Sequence, residues 1–316
     1  MPPNAWKKEN NLARLFLFHK NFFLFIFAAF LIFLITLYLI YSVKIWRIRH
    51  SNAPNLKDIY PEANPFLFEA SENTAVLLIH GFSSTPREMV YIAKSLHKQG
   101  FTVRGMLLPG HALRPADLEH SDSSMWYTAV LEEYSALRNR YKRVYIVGFS
   151  LGGLLSLKLS AEHDDIAGLT AIAPFFRLSS HHFYVKQPGT LVKFSIPFVP
   201  YVWKSEAYVN INDPVERNKH ICYDAVSTKP LHSMLDMAQA ISTTLSSIHQ
   251  PALLIHTKED KVVCSTGTEF IYNSISSKDK EIMWVTRSNH VIPVDYDKDI
   301  ICEKIVSFIN RLERNY

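Results

Sequence analysis

The chain has 316 residues, of which 48% are apolar, and its formal net charge is +5. This length suffices for one large domain or two small ones, and the apolar content suffices for a buried core. The mild positive charge does not indicate a nucleic-acid-binding protein, because no basic stripe follows a predicted element outside the N-terminal fifth. Three widely spaced cysteines indicate neither a disulfide framework nor a zinc site, although they remain compatible with one disulfide bridge.

The first predicted element is an apolar helix. Residues Phe22–Tyr41 form a run of 20 residues without a charge, about the length that crosses roughly 30 Å of hydrocarbon. Tyr38, Tyr41 and Trp46 suit a membrane interface. Basic residues flank the run on both sides: Lys7, Lys8, Arg14 and Lys20 before it, and Lys44, Arg47, Arg49 and Lys57 after it. With four basic residues on each side, the positive-inside rule favours neither orientation.

Two other interpretations of this apolar run are less favoured. A buried core helix is rarely this long without a polar residue on some face. A cleaved signal peptide has a shorter apolar stretch with small residues directly after it, whereas Lys44, Ile45 and Trp46 follow here. Residues 1–49 are therefore predicted to be an N-terminal tail with a retained, single-pass membrane anchor. Residues 50–72, with three prolines, are predicted to be a linker.

Residues 73–316 are predicted to form one domain in which strands and helices alternate. Short apolar runs such as Ala75–Ile79 and Val144–Val147 are typical of strands buried on both faces of a parallel sheet. The helix Pro86–Gln99 follows the first of them, with Gly100 as its cap. The other predicted elements are the strands Phe101–Leu107, Leu169–Ala173, Ala252–Ile255 and Glu281–Val285 and the helices Trp126–Arg140, Leu151–Ala161 and Asp299–Leu312. This alternation predicts an α/β fold: a mostly parallel sheet with helices on both faces.

One stretch, about residues 175–248, interrupts the alternation and is interpreted as a small cap inserted over the sheet edge. It contains a helical pattern around Leu231–Leu245. It is also rich in aromatic residues, namely Phe175, Phe176, Phe183, Tyr184, Phe194, Phe198, Tyr201 and Trp203. These rings either pack the interior of the cap or line a pocket for an acyl chain, and the sequence favours neither role.

The pentapeptide Gly148–Gly152 has the pattern G-x-S-x-G around Ser150. The pattern alone is weak, but a predicted strand precedes it and a predicted helix follows it. A sharp turn of this kind, the nucleophile elbow, needs small residues because the turn is strained and the neighbouring backbone is close. It also places the serine hydroxyl at a helix N-terminus, where developing negative charge is stabilised. Ser150 is therefore predicted to be a catalytic nucleophile.

A nucleophilic serine needs a base within hydrogen-bond reach and a carboxylate that orients this base. In this architecture the acid and then the histidine follow the serine along the chain. Asp260 and His290 each follow a predicted strand, so both lie in loops at the carboxyl ends of strands, where α/β sheets place their sites. Asp260 is the predicted acid, with the adjacent Glu259 as its rival, and His290 is the predicted base.

Two backbone N–H groups are needed to stabilise the oxyanion that forms during acyl transfer. One is predicted to come from Leu151, directly after the nucleophile. The other is predicted to come from Phe82, in the loop after the strand Ala75–Ile79. His80 lies in the same loop and precedes the serine along the chain, so we expect it to shape the loop rather than to transfer protons.

Over about Ala75–Leu312 the chain resembles the bacterial carboxylesterase and monoacylglycerol lipase branch of the α/β-hydrolases. The resemblance rests on HGFSSTPREM, LPGH, GFSLGG, the aspartate followed by VV after one residue, and SNHVI, in this order along the chain. It implies an α/β-hydrolase fold and a triad of Ser150, Asp260 and His290. The family usually has glycine where Ala112 and Thr257 stand here. Both are loop positions that supply no catalytic atom.

Together these features predict a serine hydrolase that cleaves carboxylic esters through an acyl-enzyme, without a metal or organic cofactor. The expected substrate is a small-molecule or lipid ester, such as a monoacylglycerol or lysophospholipid. Thioesters and amides remain alternatives for the same triad. A different alternative is a catalytically silent, membrane-bound protein that binds a ligand or acts as a scaffold, which the intact triad disfavours.

Overall fold

The computed structural model describes residues 5–179, 199–203, 210–223 and 225–315, with side chains from residue 19 onward. The chain divides into two units, Met1–Asn52 and Ala53–Tyr316. In the first unit, helix α1 extends over Ala5–Arg49. Its part His19–Arg49 is long and apolar enough to cross a membrane, and its most apolar window is not buried. The apolar run predicted to be a helix is therefore helical.

The second unit contains a mostly parallel sheet. Along the described chain the strands are β1 (Phe66–Phe68), β2 (Thr74–Ile79), β3 (Thr102–Met106), β4 (Arg143–Phe149), β5 (Gly168–Ile172), β6 (Tyr201–Trp203), β7 (Ala225–Ser227), β8 (Ala252–Thr257) and β9 (Lys280–Val285). Among the described residues, the main sheet has seven strands in the order β1-β3-β2-β4-β5-β8-β9. Only its edge strand β1 runs antiparallel to its neighbour. The predicted mostly parallel sheet is confirmed.

Helices cover both faces of this sheet, as predicted. The described α-helices of the second unit are α2 (Leu56–Ile59), α3 (Val90–Lys98), α4 (Pro115–Leu118), α5 (Ser123–Arg140), α6 (Leu151–Glu162), α7 (Pro214–Lys219), α8 (Thr228–Ile241), α9 (Ser265–Ser274) and α10 (Lys298–Glu313). Alternate residues of β2 point to opposite faces, so Leu77 packs with apolar residues of α5 and α6, and Leu78 with those of α3 and α10. The sheet is thus buried on both sides, which explains its continuous apolar strands.

The segment predicted to be a linker, residues 50–72, differs from that prediction. It contains the short helix α2 and the edge strand β1. Strand β1 pairs with β3 in a register that places Phe66 opposite Gly105. The ring of Phe66 lies where a side chain at position 105 would be, since a Cβ there would come within 2.2 Å of it. A strand of three residues is too short to produce a recognisable alternation in sequence. Its pairing depends on contacts with β3.

Between β5 and β8 the described part of the predicted cap consists of the antiparallel pair β6–β7 and the helices α7 and α8. Four of its aromatic residues, Phe183, Tyr184, Phe194 and Phe198, lie outside the described residues. Phe175, Phe176 and Tyr201 are buried, and Trp203 is 37% exposed. The first two belong to the apolar core beneath α6 and α8, so they contribute to packing.

Candidate active site

Ser150 occupies a strained turn between β4 and α6. Its φ is 51° and its ψ is −110°, a conformation that residues other than glycine rarely adopt. The turn is held by backbone hydrogen bonds: the Ser150 N–H donates to Ile172 O at 2.9 Å, and the Ser150 carbonyl accepts the N–H groups of Leu154 and Phe175, each at 3.0 Å. The hydroxyl is thereby presented at the N-terminus of α6.

The two glycines of the pentapeptide are required by close backbone approach. A Cβ at Gly152 would lie 2.1 Å from the carbonyl oxygen of Ile79, at the end of β2. A Cβ at Gly148 would lie 2.2 Å from the carbonyl oxygen of Gly152 itself. Side chains at either position would therefore push α6 away from the sheet and move Ser150.

Three residues from separate loops meet at this turn. The His290 Nε2 atom lies 3.0 Å from Ser150 Oγ, and His290 Nδ1 lies 2.7 Å from Asp260 Oδ2. All three side chains are buried or nearly so. Because an ionised carboxylate only accepts, the Nδ1–H donates to Asp260, which leaves Nε2 free to accept the serine proton. Glu259, the rival carboxylate, is exposed, and it is Asp260 that faces His290.

The carboxylate of Asp260 has donors on both oxygens. Oδ1 accepts the N–H groups of Val262 and Val263 at 2.7 and 2.8 Å, and Oδ2 accepts from His290 and, at 2.9 Å, from His256 Nε2. Burial by itself raises the pKa of this carboxyl. Electrostatic attraction between His290 and the carboxylate, together with the hydrogen bonds from the two histidines, outweighs burial, so the pKa of Asp260 lies well below its usual range. The carboxylate is therefore ionised and able to orient His290.

His256 was not identified from the sequence. It lies near the end of β8 with its ring fully buried, and its Nδ1 atom is 2.7 Å from Thr268 Oγ1 on α9. The signal for it was present, since a histidine directly after the apolar run Ala252–Ile255 and four residues before the predicted acid needs a buried hydrogen-bond partner.

His80 shapes the loop after β2, as expected from the sequence. Its Nδ1–H donates to Gly81 O at 2.8 Å, and its Nε2 accepts the N–H of Leu108 at 3.1 Å. Burial lowers the pKa of His80 to about 4, although the hydrogen bond to Gly81 opposes this shift. The ring is therefore neutral and joins the loop that contains Phe82 to the loop after β3.

The same loop is braced by Glu88, a buried carboxylate. Its Oε1 accepts the Gly81 N–H at 2.5 Å, and its Oε2 accepts the Ser84 hydroxyl at 2.6 Å. These bonds fix the backbone on either side of Phe82. The N–H of Leu151, as the first residue of α6, lies at a helix position without an intrahelical acceptor. The two predicted oxyanion donors thus lie at the ends of β2 and β4, which are adjacent strands.

The two departures from the family pattern leave this framework intact. Ala112 has a φ of 55°, in the left-handed region that favours glycine, which explains why the family usually has glycine there. Its carbonyl accepts the N–H of Lys57 at 2.8 Å. Thr257, expected in a loop, is instead the last residue of β8, and its hydroxyl accepts the N–H of Glu259 at 3.2 Å. The threonine therefore shapes the turn that leads to Asp260.

Comparison with known proteins gives clear relatives. The Hydrolase_4 family, serine aminopeptidase S33, matches residues 70–297. The chain is 30% identical over 249 residues to a thermostable monoacylglycerol lipase from Bacillus sp. (strain H-257), and the alignment covers 78% of this chain and 94% of that protein. It is 24% identical over 250 residues to a carboxylesterase from Bacillus subtilis (strain 168), and the alignment covers 79% of this chain and 97% of that protein.

Solved structures agree. The structure from the work on LipS and LipT, two metagenome-derived lipolytic enzymes, matches with a TM-score of 0.71 and 25% identity, over 79% of this chain and 98% of the other. The monoacylglycerol lipase of Paleococcus ferrophilus matches in fold with a TM-score of 0.69 and 20% identity, over 78% of this chain and 98% of the other. The family match begins at residue 70, beyond α1. The chain therefore belongs to the Hydrolase_4 family and is a serine hydrolase with the α/β-hydrolase fold.

Proposed function

We propose that the protein hydrolyses carboxylic esters through an acyl-enzyme formed on Ser150. The observation that carries this proposal is the hydrogen-bonded series from Asp260 through His290 to the Ser150 hydroxyl. A serine paired with an imidazole whose other nitrogen donates to a buried carboxylate is activated for attack on an acyl carbon. Similarity to a monoacylglycerol lipase and a carboxylesterase supports an ester as the substrate.

In the proposed reaction, His290 Nε2 takes the proton from Ser150 Oγ while the oxygen attacks the ester carbonyl carbon. Asp260 stabilises the imidazolium and does not itself become protonated. The N–H groups of Phe82 and Leu151 stabilise the negative charge on the carbonyl oxygen. His290 then gives its proton to the leaving alcohol as the ester C–O bond breaks. In the second half, His290 takes a proton from a water molecule, which attacks the acyl carbon. The bond to Ser150 Oγ then breaks, His290 returns the proton to this oxygen, and the carboxylic acid leaves.

Amides and thioesters are the competing substrates, and the aminopeptidase in the family description makes the amide the stronger rival. An aminopeptidase must also bind the cationic amino terminus of its substrate. Among the described residues, four buried carboxylates of the site loops already accept hydrogen bonds from groups of the protein, namely Glu88, Asp260, Asp295 and Asp297. This arrangement favours an ester over an aminoacyl substrate.

For the substrate class, we favour lipid-derived esters with one acyl chain. The helical part His19–Arg49 has the length and composition of a membrane span, and the second unit begins only a few residues later, at Ala53. A retained anchor of this kind would keep the hydrolase close to a lipid surface. A monoacylglycerol lipase among the relatives supports the same substrate class.

The nucleophile is tested first. The purified full chain in detergent should react with a fluorophosphonate, and Ser150→Ala should abolish both labelling and ester turnover, with a loss of several orders of magnitude. Peptide mapping identifies the labelled residue. Labelling that persists in the variant at another serine, such as Ser83 or Ser84, would contradict the proposal.

The substrate class is tested with p-nitrophenyl esters from acetyl to dodecanoyl at one fixed detergent concentration. Each buried methylene contributes up to about 0.8 kcal/mol, so kcat/KM should rise up to about fourfold per carbon until the pocket is filled. The thioester and the aminoacyl anilide of matching size should be cleaved more slowly than the ester. A profile that peaks at acetyl and falls with each added carbon contradicts the lipid substrate and leaves a short-chain esterase.

A further inference from the structure

Two histidines donate to the same oxygen of Asp260. His290 Nδ1 lies 2.7 Å and His256 Nε2 lies 2.9 Å from Asp260 Oδ2. The proposed reaction uses His290 alone. His256 is completely buried, and a buried polar ring is costly unless it is fully hydrogen-bonded. Its position on the triad carboxylate therefore calls for an explanation beyond packing.

The ring of His256 is locked in one orientation. Its Nδ1 lies 2.7 Å from the hydroxyl of Thr268, which is also fully buried. Because Asp260 is ionised and can only accept, the Nε2 atom of His256 carries a proton and its Nδ1 accepts the Thr268 hydroxyl. The indole of Trp284 on β9 lies parallel to the imidazole, with ring centroids 6.2 Å apart. Groups from α9 and β9 thus aim one N–H at Asp260.

We propose that His256 is a positioning residue that holds Asp260 Oδ2 in place and limits how strongly this carboxylate stabilises the protonated form of His290. The inference rests on the proposed function, in which His290 is the base. Oδ1 is already fixed by the N–H groups of Val262 and Val263. A second donor on Oδ2 shares the negative charge that would otherwise act on His290 alone. Loss of this donor should therefore let the carboxylate stabilise the imidazolium of His290 more strongly.

Other charges near this cluster are common to every variant compared below. The side chain of Lys258 lies over the ring of Trp284, 3.7 Å from its centroid, and pairs with Glu269. Titratable or charged residues occur on each segment packed around His256 and His290. They are Lys258, Glu259, Lys261 and Cys264 in the loop after β8, Glu269 and Tyr272 on α9, Arg177 after β5, Lys280 and Glu281 on β9, and Arg287, Asp295, Tyr296 and Asp297 after β9. A difference between variants at position 256 therefore reports the imidazole itself.

The test is the pH dependence of kcat/KM for the full chain in detergent, with the ester that it cleaves best. The acid limb of this profile is the range in which kcat/KM falls as the pH is lowered. His256→Leu should move the acid limb to higher pH by about 0.5–1 unit, since one donor to a charged group is lost. His256→Gln keeps a neutral N–H near the Nε2 position and should restore most of the wild-type profile. Thr268→Val removes the hydroxyl that orients the ring and should shift the limb in the same direction as His256→Leu, by less.

A matched control is available on α8, where His232 Nδ1 lies 3.0 Å from Asp236 Oδ2 at the same spacing of four residues along the chain. This pair is partly exposed and has no place in the proposed reaction. His232→Leu should leave the acid limb at its wild-type pH. A shift equal to that of His256→Leu would mean that any lost histidine has this effect, and it would overturn the inference.

Fluorophosphonate labelling separates the inference from the function on which it rests. If Ser150 is labelled in wild type and in His256→Leu, and both have the same acid limb, the positioning role is wrong while the proposed function stands. If His256→Leu does not fold, Thr268→Val decides, and a wild-type profile for that variant overturns the inference. A wild-type chain that is not labelled at Ser150 overturns the proposed function itself.

Discussion

The buried carboxylate of Asp295 accepts the backbone N–H of Asn289, the residue before His290, at 2.8 Å. The same oxygen accepts the N–H of Asn212 at 2.8 Å, and the other oxygen accepts the N–H of Asp213 at 2.8 Å. Asn212 and Asp213 belong to the insert between β5 and β8. One carboxylate therefore joins the loop that contains His290 to this insert.

Asp295→Asn should lower both stability and turnover. An amide offers one acceptor oxygen in place of two and turns its NH₂ group toward N–H donors, so at least one buried donor loses its partner at a cost of about 1–3 kcal/mol. We expect kcat/KM to fall about tenfold or more as His290 becomes less well placed. Asp213→Asn is the control, because asparagine still caps α7. Equal activity of Asp295→Asn and wild type would contradict the prediction.

Gly152→Ala should disable the nucleophile. The added Cβ would lie 2.1 Å from Ile79 O, so α6 must move away from β2 and carry the Leu151 N–H with it. A displacement of about 1 Å at a reacting group costs about 100-fold in rate. The rate of fluorophosphonate labelling measures this loss directly. Gly100→Asn serves as the control, since that site is open and has a φ of +88°, which asparagine tolerates. A wild-type labelling rate in Gly152→Ala would show that the turn adapts.

The two adjacent carboxylates should respond very differently to neutralisation. Asp260→Asn should lower kcat by orders of magnitude, about 10⁴-fold in comparable triads, because the amide favours the wrong imidazole tautomer. Glu259→Gln should have little effect, since that side chain is exposed. Steady-state kinetics of both variants on one ester shows which carboxylate orients His290. The reverse ranking would mean that Glu259 orients His290 during turnover.

Acid should destabilise the protein through His80. Burial lowers its pKa to about 4 from the ordinary value of 6.5 that applies to the unfolded chain. Between these two values the unfolded state binds a proton that the folded state does not, so stability falls as the pH is lowered, by up to about 1.4 kcal/mol per pH unit. Above about pH 6.5 the residue contributes no pH dependence.

The measurement is urea unfolding at pH 7 and pH 5, followed by tryptophan fluorescence. Wild type should lose about 2 kcal/mol more than His80→Gln over this interval, because glutamine does not titrate. His97→Gln, at an exposed histidine on α3, controls for the loss of any histidine and should follow wild type. Identical pH dependence of wild type and His80→Gln would show that His80 is not held neutral by burial.

Removal of residues 1–52 should yield a hydrolase that needs no detergent. The second unit begins at Ala53, and the family match begins later still, at residue 70. We expect the shortened chain to stay in the supernatant and to keep the wild-type kcat on a short, soluble ester. An aggregated or inactive product would mean that α1 is part of the hydrolase core. Mass spectrometry of the full chain from cells should give the uncut mass, whereas cleavage near residue 50 would indicate a signal sequence.

Local patterns in the sequence were sufficient to predict the fold and the three residues now found together. Apolar strands alternating with helices specify a parallel sheet, and the carboxyl ends of parallel strands lie at one edge. Ser150 and His290 could therefore be placed in neighbouring loops without any knowledge of contacts. The need for small residues at positions 148 and 152 was predicted from the strain of the turn and the closeness of the neighbouring backbone, and the short distances at both glycines agree with it.

The remaining features of the site and the fold were decided by the tertiary structure alone. They depend on burial and on partners that are distant along the chain. Asp260 and Glu259 are adjacent carboxylates, and the path of the loop after β8 determines which of them faces His290. The role of Asp295 requires Asn212, which is 83 residues away. His256 acquires its role from a threonine on α9 and a carboxylate in the next loop. The short strand β1 exists because β3 offers it a partner. Hydrogen-bond partners of this kind leave no periodic pattern in a sequence, since they follow from how separate elements pack.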